Sequence, residues 1–333
     1  MPRCRVDTSL QRLVVDGFQF PLGVYPVEEM TAKQGYSVEF EPADGDEGAG
    51  EWEEWPDRYV YDIVISAERL ESLCRSLLAL MPGRVYPILD YLGLDAYREV
   101  DPYISYDLIG MDRFTDALRR YRGFFFEDGL CGFGVMIDEP FLYFFVDEHK
   151  IVTVRAEPDM REKVEKILAA FDLEQVEAPA GADAAAHEHR AVLVIADDRP
   201  DLLNADEIVE QLRDEWRLVL NVDGESNVDD EGRDLGVTPW HCIIRCAAEG
   251  DERAKYADAL LTAGNLLLAE QLALDAAEEL LPEGVEDWEE SVVVVSDRLT
   301  EDMLAEAMAA RDVKPADDAE PPKERIIFRR WLE

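Results

Sequence analysis

The sequence lacks the cysteine pattern of a disulfide-bonded protein and the long apolar runs of a membrane protein. Its five cysteines are an odd number and follow no regular spacing. No apolar segment follows Met1, and no apolar run approaches the roughly 20 residues that a membrane-spanning helix needs. These absences predict a cytoplasmic protein whose thiols are reduced.

Positive charge is also scarce. Lys and Arg number 33 against 75 Asp and Glu, the formal net charge is −42, and only seven of the cations are lysine. Nucleic acids and anionic membranes attract clustered cations, so the charge argues against both as partners. The composition is compatible with adaptation to a salty cytoplasm and with a GC-rich genome, and it does not separate the two.

Motifs of common enzyme classes are missing as well. The chain has no glycine-rich loop that leads from a strand into a helix, no Gly-x-Ser-x-Gly turn and no His-Glu-x-x-His zinc motif. Cys242 and Cys246 would point to the opposite face of a strand from His241, which disfavours a cysteine–histidine nucleophile there. No cofactor is predicted.

The clearest structural signal runs from Gly123 to Asp172. Residues 131–137, 141–146 and 152–155 predict an antiparallel β-meander, because the first and third segments alternate with period two and the second is apolar on both faces. A helix that begins near Pro158 should pack on this meander. It carries an apolar stripe at helical spacing, made of Met160, Val164, Ile167, Leu168 and Phe171.

The predicted fold class is α+β, with two domains. The N-terminal domain, 1–174, is mixed α+β and contains the meander with its helix. An Ala-, Gly- and Pro-rich linker spans 175–189. The C-terminal domain, 190–333, has the order βαββαβ of a ferredoxin-like sandwich, with an appended helix and strand. The elements behind this order are strands at 191–196, 217–222, 240–247 and 291–295 and helices at 203–216 and 251–281.

Two segments carry residue types that bind metals. The His-x-His pair at 187–189 lies in a linker that supplies no further ligand, so no metal site is predicted there. Asn227, Asp229 and Glu231 match positions one, three and five of a calcium-binding loop, but Thr238 stands where that loop has a bidentate glutamate. This loop is interpreted either as a calcium site or as a solvated acidic hairpin loop.

Aromatic and basic residues indicate a contact surface for a protein partner. Two tryptophans lie in the acidic segment 41–57, tyrosines alternate with aspartates between 86 and 107, and the densest basic cluster follows at 113–122. Tyrosine suits interfaces because it is apolar with a polar tip. The predicted partner-binding residues are Trp52, Trp55, Tyr97, Tyr103, Arg113, Arg119 and Arg120. Alternatively, a tryptophan packs on the protein body, the tyrosines cover a sheet edge and the arginines make internal ion pairs.

These observations favour a protein-interaction or regulatory module without enzymatic activity. Its protein partner and its oligomeric state stay open. The alternative is an enzyme of unknown reaction that uses carboxylates, with or without a divalent cation, on an anionic substrate. Its site would lie between the domains or on the strand face of Gly132 and Gly134. Without a ligand on that face, glycines inside a strand indicate a packing bulge. A third possibility is a structural or housekeeping protein whose negative charge is an adaptation to a salty environment and has no part in its function.

Overall fold

The computed structural model describes residues 2–43, 55–194, 199, 201–229, 231–247, 254–281, 290–313 and 323–332. These residues form a mixed α+β fold with seven α-helices and several antiparallel sheets. Contacts divide the chain into unit 1, Met1–Tyr91 with Pro102–Asn221, and unit 2, Leu92–Asp101 with Val222–Glu333. The domain boundary at 175–189 stays a prediction, although that segment carries a short strand.

The elements of unit 1 mix short peripheral strands with longer central ones. The strands are Val14–Val15 (β1), Phe18–Gln19 (β2), Val24–Pro26 (β3), Gly35–Glu41 (β4), Arg58–Val64 (β5), Arg84–Tyr91 (β6), Asp101–Ile104 (β7), Ile109–Gly110 (β8), Cys131–Ile137 (β9), Leu142–Val146 (β10), Val152–Ala156 (β11), His187–His189 (β12) and Val219–Leu220 (β13). The helices are Ala67–Leu78 (α1), Met111–Arg120 (α2), Arg122–Glu127 (α3), Arg161–Ala170 (α4) and Ala205–Trp216 (α5).

A nine-stranded sheet organises unit 1. Its strands run in the order β13-β7-β6-β9-β10-β11-β5-β4, and β8 pairs with β6 beside this path. Within it, Phe144 of β10 lies opposite Val135 of β9 on one side and Val154 of β11 on the other, and both pairs are antiparallel. The predicted meander is therefore confirmed.

Helix α4 follows the meander and shares its core. A 3₁₀ turn at Pro158–Met160 precedes the helix. The predicted stripe is buried or half-buried in the main core of unit 1, and its members are Met160, Val164, Ile167, Leu168 and Phe171. Each fully buried apolar side chain of this size contributes about 1.5–3 kcal/mol to stability. The helix predicted after Pro158 is therefore confirmed, together with the face that it buries.

The glycine face of β9 is filled by an aromatic ring. A Cβ at Gly132 would lie 2.9 Å from Cζ of Phe145, and a Cβ at Gly134 would lie 2.7 Å from its Cδ2. The two glycines thus make room for the Phe145 ring on the neighbouring strand. Packing on this face is confirmed, but the predicted bulge is wrong, because β9 pairs with β10 and β6 without a register shift.

The described part of unit 2 is built on a four-stranded antiparallel sheet with two helices. Its strands are Thr238–Ala247 (β14), Lys255–Ala263 (β15), Glu290–Arg298 (β16) and Arg325–Trp331 (β17), and its helices are Leu266–Glu278 (α6) and Glu301–Ala310 (α7). The strand order is β16-β14-β15-β17. In the described parts of both units, no helix has the length and apolar character needed to cross a membrane.

The ferredoxin-like arrangement is not confirmed. The strand predicted at 217–222 corresponds to β13, which pairs with β7 in the sheet of unit 1. In 191–194, the described part of another predicted strand, Leu193 makes an isolated bridge with Val6. The helix predicted over 251–281 is wrong for its first part, which forms β15. Alanine and leucine favour a helix locally, but pairing with β14 and β17 on both sides overrides that preference.

Candidate metal centre

Three of the four histidines of the chain meet in unit 1. Nε2 of His149 lies 3.0 Å from Nε2 of His187, which in turn lies 3.1 Å from Nε2 of His189. The ring centroids are 4.7, 4.8 and 4.9 Å apart, and the ring planes are inclined to each other by 75, 71 and 77°. Each imidazole therefore directs one nitrogen at a common point.

A tight turn between β10 and β11 holds His149. The carboxylate of Asp147 accepts a hydrogen bond from the backbone N–H of Ile151 at 2.7 Å. The backbone N–H of Lys150 donates to the Asp147 carbonyl oxygen at 3.1 Å, in a left-handed conformation with φ of 66°. The buried Lys150 ammonium group donates to the carbonyl oxygen of Cys131. The turn is thus fixed by bonds that do not involve the imidazole of His149.

Strand pairing holds the other two histidines. Strand β12 pairs antiparallel with β3, so that His187 lies opposite Pro26 and His189 opposite Val24. Side chains alternate along a strand, which puts both imidazoles on one face. Glu188 points to the other face, and its carboxylate accepts a hydrogen bond from the guanidinium group of Arg190. Backbone pairing therefore positions two ligands in a segment that has few apolar side chains to bury.

Two glycines bring backbone segments together behind His189. Its Nδ1 donates to the carbonyl oxygen of Gly129 at 2.7 Å. Gly129 packs directly on Gly23, and a Cβ on either residue would lie 2.0 Å from a backbone atom of the other. The backbone of Arg190 donates to the Gly23 carbonyl oxygen at 2.7 Å and accepts from the Gly129 N–H at 3.1 Å. Only glycine at both positions permits this approach.

Backbone carbonyl groups determine the tautomers of two imidazoles. Nδ1 of His187 donates to the carbonyl oxygen of Ala185 at 2.8 Å, just as Nδ1 of His189 donates to Gly129. A carbonyl oxygen can only accept, so each Nδ1 carries a proton, and Nε2 of the neutral ring keeps its lone pair. Histidines that bind metals are oriented by the same kind of bond at their other nitrogen.

Carboxylates surround the third imidazole. Nδ1 of His149 lies 3.3 Å from Oδ2 of Asp147 and 3.4 Å from Oε1 of Glu148. Burial works against the charged form of His149, but the hydrogen bond and the charge of Asp147 outweigh it and raise the pKa of the ring. Burial is the main reason why the pKa of His189 is lowered. The cluster thus combines an imidazole that favours a positive charge with one that favours the neutral form.

The inward-facing lone pairs repel each other unless a cation lies between them. A proton can bridge one pair of nitrogens at a time, whereas a metal ion can bind all three. Zn–N bonds of about 2.0–2.1 Å in a tetrahedral site place ligand nitrogens about 3.4 Å apart. The observed separations of 3.0 and 3.1 Å are a few tenths of an ångström shorter. Small rotations of the rings would therefore accommodate a zinc ion.

Trp55 packs on the protein body. Its ring lies 5.4 Å from that of Phe141, and the guanidinium groups of Arg155 and Arg58 lie 4.6 and 5.0 Å from its centroid. The alternative in which a tryptophan packs on the protein body is therefore confirmed for Trp55. Trp52 lies outside the described residues, and the binding of a partner by either tryptophan stays a prediction.

Tyr103 lies in unit 1 and Tyr97 in unit 2. Tyr103 is 6% exposed in the core of unit 1, with the guanidinium group of Arg213 4.9 Å from its ring. Tyr97 is half-buried in unit 2, where the guanidinium group of Arg298 lies 5.4 Å from its ring. Burial leaves Tyr103 little area to offer a partner. The predicted contact role of both residues stays a prediction.

The three predicted partner-binding arginines of α2 make different contacts. Nη1 of Arg120 lies 2.9 Å from Oε1 of Glu215 on α5, and Nη1 of Arg113 donates to the Glu215 carbonyl oxygen at 3.2 Å. Arg119 is exposed and lines a cavity of about 420 Å³ with apolar residues of α1 and α2. The internal ion-pair alternative is confirmed for Arg120, and a partner contact stays a prediction.

The proposed calcium ligands lie in one loop of unit 2. Buried Asn227 donates from Nδ2 to the carbonyl oxygen of Gly236 at 2.7 Å. The carboxylate of Asp229 accepts the backbone N–H groups of Arg233 and Glu231, which lowers the Asp229 pKa. The Arg233 guanidinium group also bonds that carboxylate at 2.7 Å. The carboxylate oxygens of Asp229 already have partners within the turn, and calcium binding stays a prediction.

The sequence shows only part of the histidine centre. The expectation that the pair at 187–189 lacks a further ligand is wrong, because His149 supplies one from 38 residues earlier in the chain. The spacing of the pair, which places both rings on one strand face, was the available signal. No local pattern connects that pair with His149, which follows an unrelated strand.

Comparison with known protein families, curated proteins and solved structures finds no match for this chain. Any proposal about its function therefore has to come from the geometry of its own residues.

Proposed function

We propose that this chain is a metalloprotein that binds one divalent transition-metal ion, most simply zinc, through His149, His187 and His189. The observation that supports the proposal is the convergence of three Nε2 atoms, with successive separations of 3.0 and 3.1 Å. Half-buried imidazoles in the neutral form would otherwise keep apart, since their lone pairs repel. A shared cation removes this repulsion.

The surroundings of the ligands support the same proposal. Each Nδ1 has an acceptor within 3.3 Å, so each ring is oriented by the protein before any metal arrives. The acceptors are the carboxylate of Asp147 in a hydrogen-bonded turn, the carbonyl oxygen of Ala185, and the carbonyl oxygen of Gly129 at a close backbone contact. Preorganised ligands of this kind raise metal affinity, because little conformational freedom is lost on binding.

The donor atoms favour particular metals. Imidazole nitrogen suits zinc, copper, nickel and iron, whereas calcium and magnesium prefer oxygen ligands. Three nitrogen donors agree with the zinc sites that have three histidine ligands. The divalent cation of the enzyme alternative would then be held by imidazoles, not by carboxylates.

Zinc binding by single-histidine variants tests this function. His149→Gln, His187→Gln and His189→Gln should each lower the affinity for Zn²⁺ by more than about 10-fold, because each removes one nitrogen ligand. The measurement is competition for Zn²⁺ against a chromophoric chelator, with circular dichroism to verify folding. His241→Gln is the matched control, since it changes the one histidine outside the cluster.

The wild-type chain should bind one Zn²⁺ per molecule, and His241→Gln should bind it equally well. A wild-type chain that cannot compete with the chelator would contradict the proposal. Equal affinity for all four variants would do so too, because the ion would then be held elsewhere.

Other predicted roles stay open beside the metal site. A protein-interaction function, a cytoplasmic location and the lack of nucleic-acid or membrane partners remain predictions from composition. The ferredoxin-like domain and the two-domain division at 175–189 likewise remain proposals. A protein-interaction function does not conflict with metal binding in unit 1.

A further inference from the structure

We infer that the metal ion at this centre keeps one coordination position open to solvent and to small anions. This inference rests on the proposed function, because it concerns the same three imidazoles. It distinguishes a centre that binds an exchangeable ligand from one that only stabilises the fold. Structural zinc sites almost always have four protein ligands, whereas catalytic sites have three and leave the fourth position for water or substrate.

The number of protein ligands is the first argument. Within the described ranges, no fourth His, Cys, Asp or Glu donor atom joins the three imidazoles in one group of mutually close donors. The cysteines, which usually complete structural zinc sites, all lie elsewhere. Cys131 is buried, and its Sγ lies 3.6 Å from the carbonyl oxygen of Gly132.

The position of the acidic residues is the second argument. Asp147 and Glu148 approach His149 at Nδ1, the ring nitrogen that does not face the other imidazoles. Oδ1 of Asp147 is also bonded to the backbone N–H of Ile151. These carboxylates therefore orient the His149 ring from its Nδ1 side and do not point at the place where the three Nε2 atoms meet.

Exposure and charge are the third argument. All three imidazoles are partly exposed, with 17% of the His149 side chain accessible, so solvent reaches the centre. Three neutral nitrogen ligands leave the full charge of a divalent ion uncompensated at the fourth position. That position should bind hydroxide and other small anions with one donor atom, and it should lower the pKa of a water molecule bound there.

Cobalt substitution and azide titration test the inference on the full-length chain. Co²⁺ added to metal-free protein should give the visible absorption bands of a four-coordinate ion. Sodium azide should then shift these bands in a saturable way, because azide replaces the exchangeable ligand. Sodium perchlorate at the same ionic strength is the control and should leave the bands unchanged.

The outcomes separate this inference from the proposed function. Without visible bands in the wild-type chain, both fail. Bands that azide does not change would overturn the open position while the metal site itself remains. Glu148→Gln tests one candidate for a fourth ligand: if the bands respond to azide only in this variant, Glu148 closes the site and the inference is wrong. An equal response in both proteins supports the inference.

Discussion

At the scale of residues, the histidine centre depends on backbone packing as well as on its ligands. The carbonyl oxygen of Gly129 accepts the Nδ1–H of His189, and its position is set by contact with Gly23. Neither glycine has a positive φ, so their role is close approach and not a left-handed turn. A side chain at either position would move the acceptor away from the imidazole.

Gly129→Ala should therefore weaken metal binding without removing a ligand. We expect the affinity for Zn²⁺ to fall by about 10–100-fold, the usual effect of losing a group that orients a metal-binding histidine. Chelator competition measures this effect. Gly83→Ala is the matched control, because a Cβ there has no neighbour within 4 Å.

A double variant separates orientation from general destabilisation. In a His189→Gln background, Gly129→Ala should lower the affinity little further, since the oriented ring is already gone. Full additivity of the two losses would show that Gly129 acts through stability alone.

Residue-level prediction from sequence found two members of the histidine centre but not the centre itself, because no metal site was predicted at 187–189. The pair at 187–189 was recognisable as a possible ligand pair, and period two places its rings on one strand face. His149 could not be assigned to it, because 38 residues lie between His149 and His187 and the contact depends on where two loops end in space. The acceptors Ala185 and Gly129 act through carbonyl groups, which side-chain motifs do not report.

At the scale of elements, hydrophobic periodicity was a reliable guide in the centre of unit 1. The strands β9, β10 and β11 and the helix α4 lie where alternation and helical spacing predict them. Prediction failed at β15, whose alanines and leucines suit a helix. Its strand conformation comes from two neighbouring strands that are distant in sequence, and this information is not present in the segment itself.

The packing of α4 predicts that substitutions on its buried face cost much more stability than substitutions on its exposed face. Val164 is fully buried in the core of unit 1, whereas Lys166 is exposed. Val164→Asp places a carboxylate without a partner among apolar side chains, and we expect a loss of more than about 3 kcal/mol in the free energy of unfolding. Urea denaturation measures this loss.

Lys166→Asp is the control for that experiment. It changes the net charge by more than Val164→Asp does, yet it should cost less than about 1 kcal/mol because it stays in solvent. Similar losses in the two variants would mean that charge, and not burial, determines the stability of this helix.

At the scale of the whole molecule, the main feature is the excess of negative charge. With 33 Lys and Arg against 75 Asp and Glu, at least 42 carboxylates cannot be paired one-to-one with a cation. Ion pairs such as that of Arg120 with Glu215 and that of Arg12 with Glu127 relieve part of the repulsion. The sequence alone predicts this imbalance, but it does not predict which carboxylates are paired.

We expect salt to stabilise the folded chain. Raising NaCl from about 0.01 M to about 1 M shortens the Debye length from about 30 Å to about 3 Å and should screen the repulsion between carboxylates. The melting temperature should therefore rise, as measured by circular dichroism at a constant concentration of chelator. KCl serves as the control for ion identity and should have the same effect. A melting temperature that does not change would show that repulsion contributes little.

The wide sequence separation of His149 and His187 gives the centre one more consequence. All five cysteines are free thiols, so the folded chain has no covalent cross-link of its own. A metal bound to both histidines would close a loop of 38 residues. By chain-entropy arguments, a permanent link of that length would stabilise the fold by about 4 kcal/mol. In contrast to a disulfide, this link would depend on the free metal concentration and not on the redox state, so the metal concentration would determine how much the loop between His149 and His187 is stabilised.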